Sequence, residues 1–576
     1  MIALQHLWLI FQLGELATVP PVSDSSSLNA PGIACKGQTI SRIDIHARPP
    51  FEVTGGGMVK EALRFATSLH VTTKDKVVRR FLALRAGDKC TELRRAESER
   101  VLRAQPFLTD AEVVALPDGN GGVVLDVTTR DEPSLILGGG LSTKSPHLRT
   151  ARLGESNLAG EALYVSGEWR NAHNFRDVLR GKITDYQFLG RPYQMAIWGG
   201  RRQIGSDIAM EMSHPFLTDL QQLSWRTTAG KEDGPFYYVR NNADPVGIRF
   251  LRKYGDVGGV VRVGRPGSRV GLLGGSISHE TEDPAQTPFR ILDSVTVPDT
   301  SKALIGRFQR GRSTRINALW GVRSVKFVRA NGFDALEGSQ DLRTGTEVAM
   351  LVGKGIKGLG GADEDIFVSG DVYLGVGSRW SFAALDFSSE GRKPREGDWD
   401  GVLTHGRGAV YLKLPSRHTL FADGAWSAGW NQRVPFQLTL SDRDGGIRGF
   451  HDSQLGGARR AVVRLEDHYN AGHVASFASV GFAGFVDAGK LWSGDVPFGM
   501  TSPLSVSAGV SLLAALPPQS RRMWRIDLAY PIRGAVHRGW EVRFSNRDMT
   551  RMFRSEPRDV YSSRERSVPS SIFNWP

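Results

Sequence analysis

The feature of this sequence that most limits its fold is a long succession of short segments in which apolar and polar residues alternate. From Pro133 onward they recur through roughly 410 residues, each about ten residues long. The clearest apolar sets are Leu163, Val165 and Trp169; Ile208, Met210 and Met212; Trp524, Ile526, Leu528 and Tyr530; and Trp540, Val542 and Phe544. Soluble sandwiches alternate too, but they usually close within about 100–250 residues. The pattern therefore predicts one large antiparallel β-barrel.

Composition excludes two other classes of protein. The chain has 576 residues, too many for one ordinary soluble core, so we expect two or more parts. No run of about 18 apolar residues occurs, which excludes helical membrane spans. The net charge of +13 comes from Lys and Arg scattered among Asp and Glu, without a basic patch. We therefore expect no nucleic-acid partner.

The sequence carries no catalytic constellation. The histidines are isolated, and there is no Gly-x-Ser-x-Gly elbow, no Cys/His cluster with metal spacing and no phosphate-binding loop. We therefore expect a protein that is not an enzyme and that uses neither a cofactor nor a metal.

The N-terminal 34 residues are interpreted as a degenerate signal and linker. They contain no Lys or Arg, and their apolar stretch Leu7–Phe11 is short for a secretory signal. Lipidation at Cys35 is an alternative, although Cys35 lies far from that stretch. The only other cysteine is Cys90, and a disulfide between the two would suit an oxidising compartment. Two unrelated buried thiols are the other interpretation.

Residues 35–131 read as a small α+β domain. The predicted elements are a strand Thr39–His46, helices Lys60–His70, Asp75–Leu84 (stopped by Gly87) and Thr91–Pro106, and strands Ala111–Leu116 and Val123–Thr129. An exposed edge of this sheet would offer unpaired backbone groups to an extended peptide by β-augmentation. A generic α+β domain without that role is the alternative.

One loop stands out within the alternating segments. Gly446-Ile447-Arg448-Gly449-Phe450 holds an arginine between two glycines, which permit a tight turn and positive φ. Glu466 and Asp487 follow on alternating strands, on polar faces opposite apolar ones. We predict that the arginine reaches into a polar interior and pairs with both carboxylates. A solvated hairpin tip is the simpler interpretation of the loop alone.

These residues resemble a signature of the outer-membrane assembly-factor superfamily, which includes BamA, TamA and the barrel partners of two-partner secretion. The shared pattern is Val/Ile-Arg-Gly-Phe/Tyr, an acidic strand, then Phe-x-Asp-x-Gly, matched here by Phe485, Asp487 and Gly489. The resemblance implies an α+β POTRA-like domain (35–131) followed by a transmembrane antiparallel β-barrel of 16 strands (132–548), of bacterial surface antigen type. Loop 431–457 would insert into the lumen. Five strands follow the loop as the family requires, but about fourteen candidates precede it where eleven are expected.

The family resemblance also implies a function. Such proteins act in the bacterial outer membrane as insertases or translocases of β-rich client proteins, with the POTRA domain in the periplasm. The implied partners are outer-membrane lipids, unfolded outer-membrane or secreted clients and, as an open alternative, periplasmic chaperones or accessory proteins. A dedicated two-partner-type exporter of one secreted protein and a passive pore are the alternative functions. One POTRA domain departs from the several found in BamA-like members.

Two further regions carry expectations. The first barrel strand contains Gly138, Gly139 and Gly140, and glycine weakens strand packing. It would form a lateral seam with the last strand, which contributes Trp540, Val542 and Phe544. Alternatively, the glycines only relieve crowding in a curved wall.

The polar tail 549–576 departs from the family pattern and is either disordered or a plug of the periplasmic mouth.

Overall fold

The computed structural model describes most of the chain. Its described residues are 32–51, 61, 64, 67–68, 70–141, 148–171, 176–292, 295–474, 477–535, 539–548 and 556–569. The predicted signal segment and most of the predicted helix Lys60–His70 lie outside them. No helix in these ranges is long and apolar enough to cross a membrane.

The N-terminal part contains a four-stranded sheet and two helices that the structure describes along their whole length, and the described residues 61, 64, 67 and 68 are helical too. Its elements are β1 Lys36–Arg48, α1 Asp75–Phe81, β2 Lys89–Thr91, α2 Glu92–Arg103, β3 Leu108–Pro117 and β4 Val123–Asp131. The sheet order is β2-β1-β4-β3, with β1 parallel to β4 and the other neighbours antiparallel. Both helices bury apolar residues in one core, including Val77 and Phe81 of α1 and Leu102 of α2, together with Phe107 of the following turn. By burial this core would contribute about 1.5–3 kcal/mol per large side chain.

The C-terminal ends of both helices differ from the prediction, and α2 ends at Arg103 rather than at the predicted Pro106. Helix α1 ends at Phe81, before the predicted Leu84, because Leu82 is already extended. That extension carries Leu84 into the core, where its side chain is buried. Gly87 does take a positive φ of 89°, but in the turn before β2 rather than at the end of the helix.

The remaining strands belong mainly to a barrel. In chain order they are β5 Leu135–Leu141, β6 Leu148–Glu155, β7 Leu163–Arg170, β8 Val178–Phe188, β9 Tyr193–Arg201, β10 Ser206–His214, β11 Leu223–Arg240, β12 Ala243–Val263, β13 Val270–Pro284, β14 Phe289–Leu292, β15 Val295–Pro298, β16 Gly311–Asn331, β17 Ser339–Gly355, β18 Asp365–Gly377, β19 Ser381–Pro394, β20 Asp400–Lys413, β21 His418–Trp430, β22 Leu438–Thr439, β23 Gly456–Gly457, β24 Arg459–Val474, β25 Ala478–Trp492, β26 Ser505–Ala515, β27 Arg522–Arg533 and β28 Glu541–Asp548. A short helix, α3 Arg558–Ser563, follows.

The barrel has 20 wall strands in the described part of the chain, not the 16 expected from the resemblance. Each pairs antiparallel with its neighbour, and β28 lies beside β5 to close the ring. The wall omits the hairpin β14–β15, since β13 pairs directly with β16 along their length. Fifteen wall strands precede the arginine loop and five follow it. The candidates found in the sequence were thus nearly all wall strands, and the expectation of eleven was wrong.

The wall has an apolar outside and a polar inside. Alternation places Val463 and Leu465 outward, half exposed, while Glu466 and His468 point into the barrel and are buried. The same division holds on β10, where Ile208 is 61% exposed. The largest fully buried side chains include three arginines of the interior, namely Arg252, Arg315 and Arg460. An apolar outer surface around a charged interior is the arrangement that lipid outside and a polar lumen inside require.

The N-terminal domain is docked against one end of the barrel. Arg103 of α2 pairs with Asp341 of β17 at 2.9 Å. The guanidinium of Arg521, between β26 and β27, donates to three backbone carbonyls of the domain, including that of Gln105 at 3.1 Å. The side chain of Gln187 donates to the carbonyl of Val77 at 2.7 Å. These contacts come from well-separated strands of the rim, so they fix the orientation of the domain relative to the barrel.

Candidate functional site in the barrel lumen

The loop between β21 and β24 folds into the barrel. Its two ends form the small ribbon β22–β23, and its apolar residues Phe436, Leu438 and Leu440 are buried. The tip is held by the amide of Ile447, which donates to the carbonyl of Leu440 at 3.1 Å. Ile447 and Phe450 pack with Val462 of β24. The loop is therefore a packed part of the interior and not a solvated hairpin.

The glycines beside Arg448 have different roles. Gly449 takes a positive φ of 80°, as predicted. Gly446 does not, and the prediction was wrong there; the positive φ belongs to Gly445, at 95°. A Cβ on Gly446 would lie 2.1 Å from the carbonyl oxygen of Leu440. Glycine is thus required at 446 for close backbone approach and at 445 and 449 for the turn.

Arg448 is clamped by the two predicted carboxylates. Its Nε and Nη2 donate to Asp487 at 2.7 and 2.5 Å, and its backbone amide donates to the same carboxylate at 3.1 Å. Nη2 also lies 2.8 Å from Glu466. The guanidinium carbon stands 3.5 Å from the centre of the Phe485 ring, a cation–π contact. All four side chains are buried.

This environment keeps Arg448 charged. Burial disfavours the charged guanidinium, but the hydrogen bonds that it donates to Asp487 and the charges of Glu466 and Asp487 outweigh burial, so the pKa of Arg448 is raised above its ordinary value. The planar guanidinium forms two parallel hydrogen bonds with one carboxylate. Lysine cannot form this bidentate contact.

The pair belongs to a wider network on four neighbouring strands. Arg525 of β27 lies 2.8 Å from Glu466, and its Nη2 donates to Ser511 of β26 at 2.8 Å. Ser511 in turn donates to Asp527 at 2.6 Å. His468 lies 2.8 Å from Glu466. Glu466 and Asp527 thus each have more than one cationic or hydroxyl partner, and Asp487 accepts three hydrogen bonds from Arg448, so each buried charge is compensated.

Sequence reasoning found Arg448, Glu466 and Asp487, and it named Phe485 as part of the signature but not as a partner of Arg448. It did not single out Arg525 or Asp527. The alternation of polar and apolar residues along β25 and β27 assigns Phe485, Arg525 and Asp527 to the inner face, so the sequence did indicate that they point into the barrel. Their height along the barrel depends on register, such as Ser511 opposite Asp527 and Glu466 opposite Phe485. Register between strands is set by pairing across the sheet and is not readable from one strand.

Comparison with known proteins gives similar solved structures only. No protein-family model matches the chain, and no curated protein sequence does. CdiB from Escherichia coli is similar with 13% sequence identity and a TM-score of 0.44, covering 95% of this chain and 97% of that one. BamA from Haemophilus ducreyi lacking POTRA domains 1–3 has 14% identity and a TM-score of 0.38, covering 88% and 84%. CdiB from Acinetobacter baumannii has 10% identity and a TM-score of 0.35, covering 94% and 96%.

The predicted seam lies where β28 meets β5. Gly138, Gly139 and Gly140 are in β5, whereas Trp540 precedes β28 and is exposed. A cavity of about 460 Å³ lies at this junction, lined by residues of both strands, including Gly138 and Gly139 on one side and Phe544 on the other. Val542 is exposed on the outer face, and Phe544 packs on Trp524 of β27 at 5.5 Å between ring centres. The last strand is therefore better packed against β27 than against β5.

The outer edge of β3 is not open, contrary to the sequence expectation. Arg95 donates to the carbonyl of Val113 at 2.6 Å, and the amide of Val113 donates to Glu99 at 3.3 Å. Arg103 donates to the carbonyl of Ala111 at 3.3 Å. These three side chains lie four residues apart on α2, so one face of the helix covers the edge. The amide of Ile33 donates to the carbonyl of Ala115, the next outward carbonyl of β3, at 2.8 Å.

The two cysteines of the N-terminal domain form the predicted disulfide. Cys35 and Cys90 are joined by a disulfide that ties the start of β1 to β2. Among the described residues no group of three or more His, Cys, Asp or Glu could hold a metal ion.

Proposed function

We propose that the chain is a bacterial outer-membrane protein of the assembly-factor type, which inserts or exports β-rich client proteins. The observation that carries this proposal is the clamp of Arg448 by Asp487 and Glu466 inside a closed barrel with an apolar outer surface. The same three residues carry the sequence resemblance. An arrangement that ties a lumen loop to β24 and β25, a few strands before the closing seam, suits a wall that must be braced on one side while it opens on the other.

The N-terminal domain fits a periplasmic, POTRA-like role in this proposal. It lies at one end of the barrel, and its sheet edge is covered by side chains of α2 rather than by another strand. Side chains can be displaced by an extended peptide more readily than a paired strand can. Displacement of Arg103 would also release its ion pair with Asp341 of the barrel. Client capture at β3 would thereby loosen the docking of the domain.

The weak junction between β5 and β28 supports lateral release of clients. Glycines on β5 and a cavity between the two strands favour opening there. An opened seam exposes strand edges that can pair with an incoming strand. No chemistry on a substrate enters this mechanism, so we propose that the protein is not an enzyme and that its partners are membrane lipids and unfolded clients.

Export of one secreted partner is the second candidate. The wide ring of strands and its charged interior favour passage through the lumen, provided that the segments filling it can leave. A passive pore is disfavoured because the loop and the tail occupy the interior.

Depletion of the protein followed by quantitative mass spectrometry separates these candidates. Loss of several outer-membrane proteins supports the insertase, and loss of one secreted protein with an unchanged outer membrane supports the exporter. Unchanged outer-membrane and secreted protein levels would contradict both. Complementation with wild-type protein must restore the lost proteins.

A further inference from the structure

The C-terminal segment 556–569 lies in the barrel interior. Sequence reasoning left it either disordered or at the periplasmic mouth, and the structure corrects both expectations. Pro557 packs against Gly445 of the arginine loop, where a Cβ would come within 2.6 Å of it. Asp559 is buried and pairs with Arg460 of β24 at 2.6 Å. The segment therefore reaches the level of the inserted loop, well inside the lumen.

The run Arg564-Glu565-Arg566-Ser567 meets a complementary series of charges on the wall. Arg564 pairs with Glu390 of β19 at 2.7 Å, and Glu565 pairs with Arg315 of β16 at 2.5 Å. Arg566 pairs with Glu232 of β11 at 3.1 Å. The backbone amide and hydroxyl of Ser567 both donate to Glu280 of β13, at 3.1 and 3.0 Å. Each charge in the run has a partner of opposite sign.

The segment spans the interior from one side to the other. Its contacts begin on β24, at Arg460, and end on β11, at Glu232, and these strands lie almost opposite each other in the ring. Arg252 of β12 also donates to the carbonyl of Arg564 at 3.1 Å. A segment anchored on both sides of a lumen obstructs passage along it.

The contacts between segment 556–569 and the barrel wall are mostly polar, and water can replace polar contacts. Apolar anchoring is limited to a few side chains, chiefly Val560 and Val568. Most of the remaining contacts are ion pairs and hydrogen bonds, which water can replace when the segment leaves. Buried ion pairs offset their own desolvation only in part, so they give specificity of position more than strength.

We infer that residues 556–569 are a resident peptide ligand of a charged binding site in the lumen, and that they close the pore until they are displaced. The site consists of Glu232, Glu280, Arg315, Glu390 and Arg460. This inference rests on the proposed function only in placing the barrel in a membrane.

The loop and the segment are linked through Arg460. Its Nη1 donates both to Asp559 at 2.6 Å and to the carbonyl of Thr439 in the loop at 2.7 Å. Departure of the segment thus removes one partner of a residue that also holds the base of the arginine loop. Displacement and loosening of the loop are expected together.

Ion conductance of the purified protein in planar bilayers tests the inference without any client. A chain ending at Asp548 should conduct several-fold more than wild type, and Arg564→Gln with Arg566→Gln in the full chain should raise the fraction of time spent open. Arg379→Gln is the control, because Arg379 is an exposed arginine in the turn after β18 and lies outside the segment and its binding site. It should behave as wild type.

A synthetic peptide of residues 556–569 gives the second arm. Added to the truncated barrel at about millimolar concentration, which is typical of the effective concentration of a tethered segment, it should restore the low conductance. The same peptide with Gln in place of Arg564 and Arg566 should not. Equal conductance of wild-type and truncated protein, or equal closure by both peptides, would overturn the inference. If the truncated chain fails the heat-modifiability test for folding, wild-type gating of the double glutamine variant would overturn it instead.

Because no client is present, this result is independent of insertion or export. A truncated barrel that conducts more than wild type, together with unchanged client levels after depletion of the protein, would support the plug and contradict the proposed function.

Discussion

Arg448 and Asp487 are joined by three hydrogen bonds, of which two come from the guanidinium and one from the arginine's own backbone amide. One carboxylate therefore fixes both the side chain and the main chain of the loop tip. The aspartate lies on β25, the second wall strand after the loop, so the contact ties the loop to the wall between the loop and the closing strand β28.

The first prediction concerns the stability of the barrel. Arg448→Ala leaves Asp487 buried without its principal partner, and loss of one partner of a buried pair typically costs about 3–5 kcal/mol. We expect the free energy of unfolding in detergent, measured by urea titration, to fall by about that amount. Arg448→Lys should recover only part of it, since lysine cannot form the bidentate contact. The control is Arg379→Ala, an exposed arginine in the turn after β18, which should change stability by less than about 0.5 kcal/mol. An equally small effect of Arg448→Ala would refute the clamp.

The second prediction ranks the two carboxylates. Asp487 accepts three bonds from Arg448, whereas Glu466 gives Arg448 one contact and has Arg525 and His468 as further partners. Double-mutant cycles that combine Arg448→Ala with Asp487→Asn or with Glu466→Gln should therefore give the larger coupling energy for Asp487. Both couplings should fall within about 0.5–3 kcal/mol. The reverse order would show that the network, not the bidentate pair, holds the loop.

The third prediction concerns the covered edge of β3. Arg95 and Glu99 together occupy the outward carbonyl and amide of Val113. Replacing both with alanine should expose that edge and tighten binding of a fluorescently labelled, unfolded client peptide several-fold, as measured by anisotropy on the full chain. Arg94→Ala, on a more exposed part of the same helix, is the control. Unchanged peptide affinity in the double variant would mean that clients do not bind at β3.

The fourth prediction is a pH dependence of domain docking. Burial alone would raise the pKa of Glu97, but hydrogen bonds and the charge of Arg100, with a hydrogen bond from Thr218 of the barrel rim, lower it below its ordinary value of 4.5. A carboxyl group with a lowered pKa stabilises the docked state above its ordinary pKa, and that stabilisation is lost as the pH falls through the lowered value.

The thermal unfolding midpoint of the wild type should therefore exceed that of Glu97→Gln near pH 7, and the difference should shrink as the pH falls below the ordinary value of 4.5. Glu112→Gln, which changes an exposed carboxylate of β3, is the control. A difference between wild type and Glu97→Gln that is constant with pH would contradict the assigned role of Glu97.

Much of the wall could be predicted from sequence because strand alternation is a local signal. The inward position of Glu466 and the outward position of Leu465 follow from a period of two residues, and both are found. The number of wall strands could not be taken from the resemblance, since extra hairpins do not disturb the local pattern. Only pairing shows that β14–β15 stands outside the wall whereas every other candidate is part of it.

The interior was harder to predict because its contacts join residues far apart in the chain. Arg315 and Glu565 are separated by 250 positions, and Arg525 and Glu466 by 59. The alternating charges of the tail were visible in the sequence, but nothing local indicates that the barrel holds their partners. The same limit applies to the edge of β3, where the spacing of Arg95, Glu99 and Arg103 predicts a helix face without showing what it covers.

The most direct test of the account is a reversible disulfide across the seam, followed by client insertion in proteoliposomes. Cysteines would be scanned at Gly138 and Gly139 of β5 against Ser545 and Asn546 of β28, which line the same cavity. A background with Cys35→Ser and Cys90→Ser ensures that reduction acts on the seam alone. We predict that the cross-linked protein leaves a β-rich client accessible to protease and that reduction restores its protection. Full client insertion by the cross-linked form would contradict the account.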